Sequence, residues 1–353
     1  MHKQNPNPDR TTGPMKDTRN RRWNRAPWML ALPAVLCAGL TFTAVPMTWL
    51  LLPLLMAVHG AGVLVIREVV VRAGGGWPSL VLLGVAYQIA ADGLGLQALT
   101  SPRMYGAADW GWRALGVNWS YWESQIGVHV VLGVLVPLGL VNLLFPAQRA
   151  RPYLGKKGLL GVGALSIAGV FGLRYFVSAT KDRDYQTPWG WTLVFLALIV
   201  ALGLLALVAV PRRLERRGRA ERTAPRPGVV GFVSLYLTMA FLTTLLPLGL
   251  GADLLFGDLM SPLLRLVMAA MAAVPFGLLV LRWQAAANWT DRHRIWLCGG
   301  ILLSYTAFLV PSSLAAALVG SLALAAEVVL LTVLARHVEQ RGPATTPLQR
   351  VGS

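Results

Sequence analysis

The chain has 353 residues, 55% of them hydrophobic and only 13% charged, with a mean hydropathy of +0.57. That composition lies outside the range of a soluble domain and points to a membrane protein. A formal net charge of +17 would also suit a nucleic-acid binder, but the basic residues flank apolar segments and build no stacking or groove motif, so no nucleic-acid partner is expected.

Residues 1–25 are polar, contain Pro6, Pro8, Pro14 and seven Lys/Arg, and read as a disordered basic cytoplasmic tail. Ten apolar stretches follow, near 27–44, 47–66, 78–99, 125–145, 158–178, 189–210, 228–250, 262–281, 295–310 and 314–335. Each is long enough to cross a bilayer. The first follows a basic region but lacks a small-x-small cleavage site, so it reads as an uncleaved helix rather than a signal peptide. Only Pro311-Ser312-Ser313 separates the last two, which are either two spans or one kinked helix; the total length favours two. The predicted fold is an all-α integral membrane protein, a bundle of about ten transmembrane helices over 26–336. Two five-helix halves, 26–210 and 228–336, are joined by the basic linker 211–227, and 337–353 forms a second tail. An odd number of spans per half would invert one half relative to the other, as in several transporters; no residue-level match between 28–178 and 189–335 accompanies that count.

The Lys/Arg residues set the orientation. Of 32, 26 fall in the tails and in the segments 67–77, 146–157, 211–227 and 282–294, against four in the alternate loops. This places both termini in the cytoplasm and brings the basic loops against anionic lipid headgroups, the expected membrane partners. The longest outer segment, 100–124, carries Tyr105, Trp110, Trp112, Trp119, Tyr121 and Trp122. It is expected to lie along the outer interface as an aromatic belt or to fold over the bundle mouth. Cys37 and Cys298 sit at different depths, so no disulfide is expected.

Ionisable side chains within spans are site candidates, because each costs several kcal/mol there unless paired or hydrated. Counting the helical rise from the outer end of each span puts Asp92 about 10 Å down, His129 about 6 Å, Arg174 and Arg265 about 5 Å, His59 about 18 Å and Glu327 about 20 Å. Gly84, Gln88, Asp92 and Gly95, spaced four, four and three, share one α-helical face. The sharp reading is an outward-facing polar cavity lined by Gln88, Asp92 and His129, with His59 and Arg174 nearby. There an Asp–His pair would carry a proton or hold a cationic group, and rim arginines would attract an anion. The plain readings are snorkelling for Arg174 and Arg265, a backbone hydrogen bond for His59, and an interfacial ion pair for Arg67 and Glu68. No zinc motif, phosphate loop or nucleophile elbow is present, so no catalytic residue, metal or cofactor is assigned.

Two stretches carry a resemblance. Arg67-Glu68-Val69-Val70-Val71-Arg72 with Gly76-Trp77-Pro78-Ser79-Leu80 is one; Tyr87 through Gln97, continuing as Ala98-Leu99-Thr100-Ser101-Pro102, is the other. Over residues 59–146 the chain resembles an uncharacterised family of bacterial polytopic membrane proteins, which implies a location in the bacterial cytoplasmic membrane and no known activity. It is loosely similar to the CAAX-type intramembrane proteases, whose paired glutamates would fall on Ala91 and Asp92 and whose later histidine would fall on His129. The expected function is a small-solute transporter or solute-binding membrane protein. Its rivals are a membrane-embedded hydrolase and a non-catalytic scaffold.

Overall fold

In the computed structural model the described residues are 25–38, 50–211, 223–251, 253 and 259–341. Nine helices among them are long and apolar enough to cross a bilayer. They are α2 (Leu52–Arg72), α3 (Trp77–Gly95), α4 (Trp119–Leu144), α5 (Lys156–Lys181), α6 (Trp189–Ala209), α7 (Pro227–Leu245), α8 (Pro262–Gln284), α9 (Asp291–Ser312) and α10 (Leu314–Gln340). A shorter apolar helix, α1 (Ala26–Ala38), precedes them. The rest of the predicted first span, the start of the second, nearly all of the tail 1–25, most of the linker and residues 342–353 lie outside the described residues. The protein is a multi-pass, all-α membrane bundle.

The ninth and tenth segments are separate spans. A 3₁₀ turn at Val310–Ser312 closes α9, extended Ser313 breaks the helix, and its Oγ accepts from Ala316 N at 3.0 Å to cap α10. Helix α10 runs to Gln340, past the boundary read at 336. Its end is held by Arg341, which donates to the carbonyls of Leu143 (3.0 Å) and Leu144 (3.2 Å).

Helix α4 is the spine. Its Val128, Leu132 and Val136 pack with Phe241, Leu242 and Leu245 of α7 and Ile301, Leu302 and Phe308 of α9. On its other side Val134, Leu138 and Val141 meet Leu30 and Ala34 of α1 and Val63 and Ile66 of α2. Helices α2, α3, α4 and α9 are mostly covered by protein, whereas α6, α8 and α10 turn most of their apolar surface outward. In hydrocarbon that outward surface needs no further partner.

Among the described residues five helices contain π turns: Met56–Gly60 in α2, Ile89–Gly95 in α3, Ile126–Leu135 in α4, Leu173–Ser178 in α5 and Leu205–Ala209 in α6. A π turn widens the helix by one residue and leaves carbonyls poorly served. Within a membrane those carbonyls must find donors. Tyr87 Oη donates to Val58 O at 2.6 Å, Arg174 Nη1 to Leu94 O at 3.1 Å, and Ser79 Oγ to Ala206 O at 2.6 Å.

The basic end of the bundle is fastened by a buried ion pair. Arg67 and Glu68 meet at 2.7 Å and are almost wholly covered. Arg67 also donates to the carbonyls of Gln148 (2.7 Å) and Arg151 (3.0 Å) and lies 3.2 Å from the centre of the Tyr153 ring. Glu68 accepts from the backbone N–H groups of Tyr153 (2.7 Å) and Leu154 (3.2 Å). Burial raises the Tyr153 phenol pKa, with Arg67 pulling it back down. The interfacial pair read from sequence is therefore a structural clamp on the segment 145–155. Arg149 adds a tie to Asp291 of α9 at 2.9 Å.

Candidate functional site

The opposite end carries a polar cap. Gln97, at φ +58, uses its side chain on Ser178 Oγ (3.1 Å), Tyr185 O (3.2 Å) and Thr187 N (2.8 Å). Short strands β1 (Arg113–Ala114) and β2 (Val117–Asn118) form an antiparallel hairpin. Asn118 reaches back from it to the carbonyls of Ala98 (2.8 Å) and Ser101 (2.6 Å). Ser101 Oγ donates to Asp182 at 2.6 Å, and Arg103 lies 3.5 Å from the same carboxylate. The cap seats the end of α3 against the loops on either side.

Beneath it four predicted site residues converge. Asp92, fully buried in the α3 π turn, accepts from Gln88 Nε2 at 2.9 Å. His129 Nδ1, from the α4 π turn, lies 3.1 Å from the same Oδ2 without the alignment of a hydrogen bond. His59, from the α2 π turn, sets its ring edge-on to His129 with centroids 5.1 Å apart. Asp92 Oδ1 is buried with no hydrogen-bond partner among the described residues. A carboxylate so placed has one aligned donor and one imidazole at contact distance, well short of its capacity.

Trp122, which the sequence reading assigned only to the aromatic loop, belongs to the site. Its Nε1 donates to Gln88 Oε1 at 3.0 Å. Because Trp122 can only donate, Gln88 must present Oε1 to it and Nε2 to Asp92. The indole thus fixes the amide's orientation. Trp119 stacks on Trp122 with centroids 5.5 Å apart, and Phe195 meets its edge at 6.0 Å. Tyr105 and Tyr121 stack at 5.8 Å, and both phenols are within electrostatic reach of Asp92, as is Tyr87.

Depths differ from the sequence estimates because the helix ends do. Helix α4 begins at Trp119, six residues before the predicted edge, so His129 is about 15 Å along it. The first turns of α4 absorb Trp119, Tyr121 and Trp122 from the predicted outer loop. The single face expected for Gly84, Gln88, Asp92 and Gly95 is also broken. A Cβ on Gly84 would stand 2.8 Å from Val130 of α4, but one on Gly95 would meet Val170 O of α5 at 2.9 Å. The intervening π turn rotates Gly95 away.

Arg174 does not join the cluster: its guanidinium is committed to Leu94 O and to Gln186. Arg265 pairs with Asp253 at 2.9 Å, and Glu327 accepts from Thr306 at 2.7 Å on α9. Among the described residues no group of three His, Cys, Asp or Glu side chains is placed to hold a metal ion. The chain was compared with family models, curated proteins and solved structures; none matches, so neither resemblance read from residues 59–146 gains support there.

Proposed function

We propose that this protein is a proton-coupled small-solute transporter whose proton site is the Asp92–His129 pair. The observation that carries the reading is the 3.1 Å approach of an imidazole to a buried carboxylate that retains an unpartnered oxygen. Such a pair can bind and release a proton without moving a bare charge through hydrocarbon. His59, in ring contact with His129, brings a second imidazole against the pair from α2. An anion-binding role lacks support, because Arg103, Arg113, Arg174 and Arg265 are all engaged with acids, amides or carbonyls. A hydrolase would also use an acid–imidazole pair, yet among the described residues no Ser, Thr or Cys is hydrogen-bonded to His59 or His129.

Two proton measurements on the full chain test this. In proteoliposomes with an internal pH dye and an imposed potential, wild type should move protons and Asp92→Asn should not. On acidification in detergent, wild type should take up more protons than Asp92→Asn. Identical behaviour of the two proteins in both assays would overturn the assignment.

A further inference from the structure

We propose that the Asp92 site takes a protonated primary amine on a small aromatic or apolar body, and that this ammonium group and the transported proton exchange at one carboxylate. The inference rests on the proton-site reading and names its substrate class.

Oδ1 of Asp92 is an unused acceptor on a fully buried side chain. Oδ2 is already served by Gln88. A ligand matching Oδ1 must therefore bring a hydrogen-bond donor, and a cationic donor matches a carboxylate best. The titratable groups near Asp92 come from four elements. Helix α4 contributes His129 and Tyr121, α2 contributes His59, α3 contributes Tyr87, and the outer loop contributes Tyr105. The basic side chains among them are the two histidines, and the neighbouring Arg174 of α5 is turned to Leu94 O and Gln186.

The second half of the recognition is aromatic. Trp122 is hydrogen-bonded to Gln88 and stacks on Trp119, and Tyr121 of the same helix stacks on Tyr105. Carboxylate plus ring faces is the pairing that holds ammonium ions, the rings adding attraction through their negative faces. Tyr105, the stacking partner of Tyr121 from the outer loop in sequence, is half exposed.

Exchange follows from the shared atom. When Asp92 is protonated, its O–H competes with the ammonium N–H for the same position. Binding of R–NH₃⁺ to the carboxylate then releases one proton, which leaves through His129 to bulk water, and charge is conserved. Affinity for the amine should therefore fall as pH falls, by about tenfold per unit once the site is fully protonated.

The test uses phenethylammonium with the full chain in detergent. Binding is followed by tryptophan fluorescence, and proton release by a pH indicator in weak buffer. Wild type should bind saturably, bind more weakly at pH 5 than at pH 8, and release more protons per ligand at pH 5 than at pH 8. Asp92→Asn should lose binding. Trp122→Phe, which keeps a ring but frees the Gln88 amide, should weaken it less. No saturable binding to wild type, or binding without proton release, overturns the proposal. If wild type still shows Asp92-dependent proton movement in liposomes, only the substrate class has failed; if that movement is absent too, the transporter reading fails with it.

Discussion

Two buried clusters in the N-terminal helices each set an acid beside a basic side chain and differ in completion. At the basic end Arg67 and Glu68 neutralise one another, and both are further bonded to the 145–155 backbone. At the other end Asp92 has one aligned donor, one imidazole at contact distance and one oxygen with nothing. The first arrangement resists change, because any movement strands a charge. The second leaves capacity that an exchanging proton or ligand can fill. Burial of charge alone therefore does not mark a site; unfinished bonding does.

The contrast breaks most visibly at Glu68. Glu68→Ala leaves the Arg67 guanidinium buried without its counter-charge, which should destabilise the protein by about 3–5 kcal/mol. A fall in melting temperature and in monodisperse yield on fluorescence-detected size exclusion would show it. A Glu68→Ala protein that keeps its melting temperature would mean the clamp is ornamental. Asp92→Asn comes next and should act on function instead. It keeps the side chain's size, so stability should stay within about 1 kcal/mol of wild type, while coupled transport drops by about a hundredfold. Equal destabilisation by the two substitutions would erase the distinction between clamp and site.

Gln97→Ala should have an intermediate effect, costing about 1–3 kcal/mol by stripping three partners of their hydrogen bonds. Gln97→Gly should cost less than that if the left-handed backbone at φ +58 is a burden on any side chain. Comparing the two melting temperatures separates cap bonding from backbone strain. Trp122→Phe should be mildest, about 1 kcal/mol in stability. Its signature is kinetic: the Gln88 amide becomes free to flip, so the pH profile of transport should change shape while expression does not.

Much of this was legible in the sequence. Helix existence follows from apolar run length, and most predicted edges lie within a few residues of the observed helices. The meeting of Asp92, Gln88 and His129 was anticipated because each is a polar group within an apolar span, although the counted depth of His129 was short by the first turns of α4. What could not be read was azimuth. Arg174 was placed near the cluster by depth, yet its guanidinium turns to Leu94 O and Gln186. Trp122 escaped because an aromatic near a membrane boundary has a sufficient explanation without a hydrogen bond to Gln88. Arg67 and Glu68 looked interfacial because the fold of 145–155 over them is set by tertiary contacts. The π turns left no local signal; those in α2, α3 and α6 have carbonyls met by Tyr87, Arg174 and Ser79 from neighbouring helices.

Those widened turns have a consequence for how the protein can move. His59, Asp92 and His129 each sit on one. Relaxing a π turn to ordinary α winding drops one residue from the coil and swings everything beyond it by about 100° about the helix axis. Such a swing in α3 or α4 would part the carboxylate from the imidazole with no tilt of any helix. Acid and base face one another only while the surplus residues stay wound where they are, so local rewinding within single helices is a route by which the site can be made and unmade.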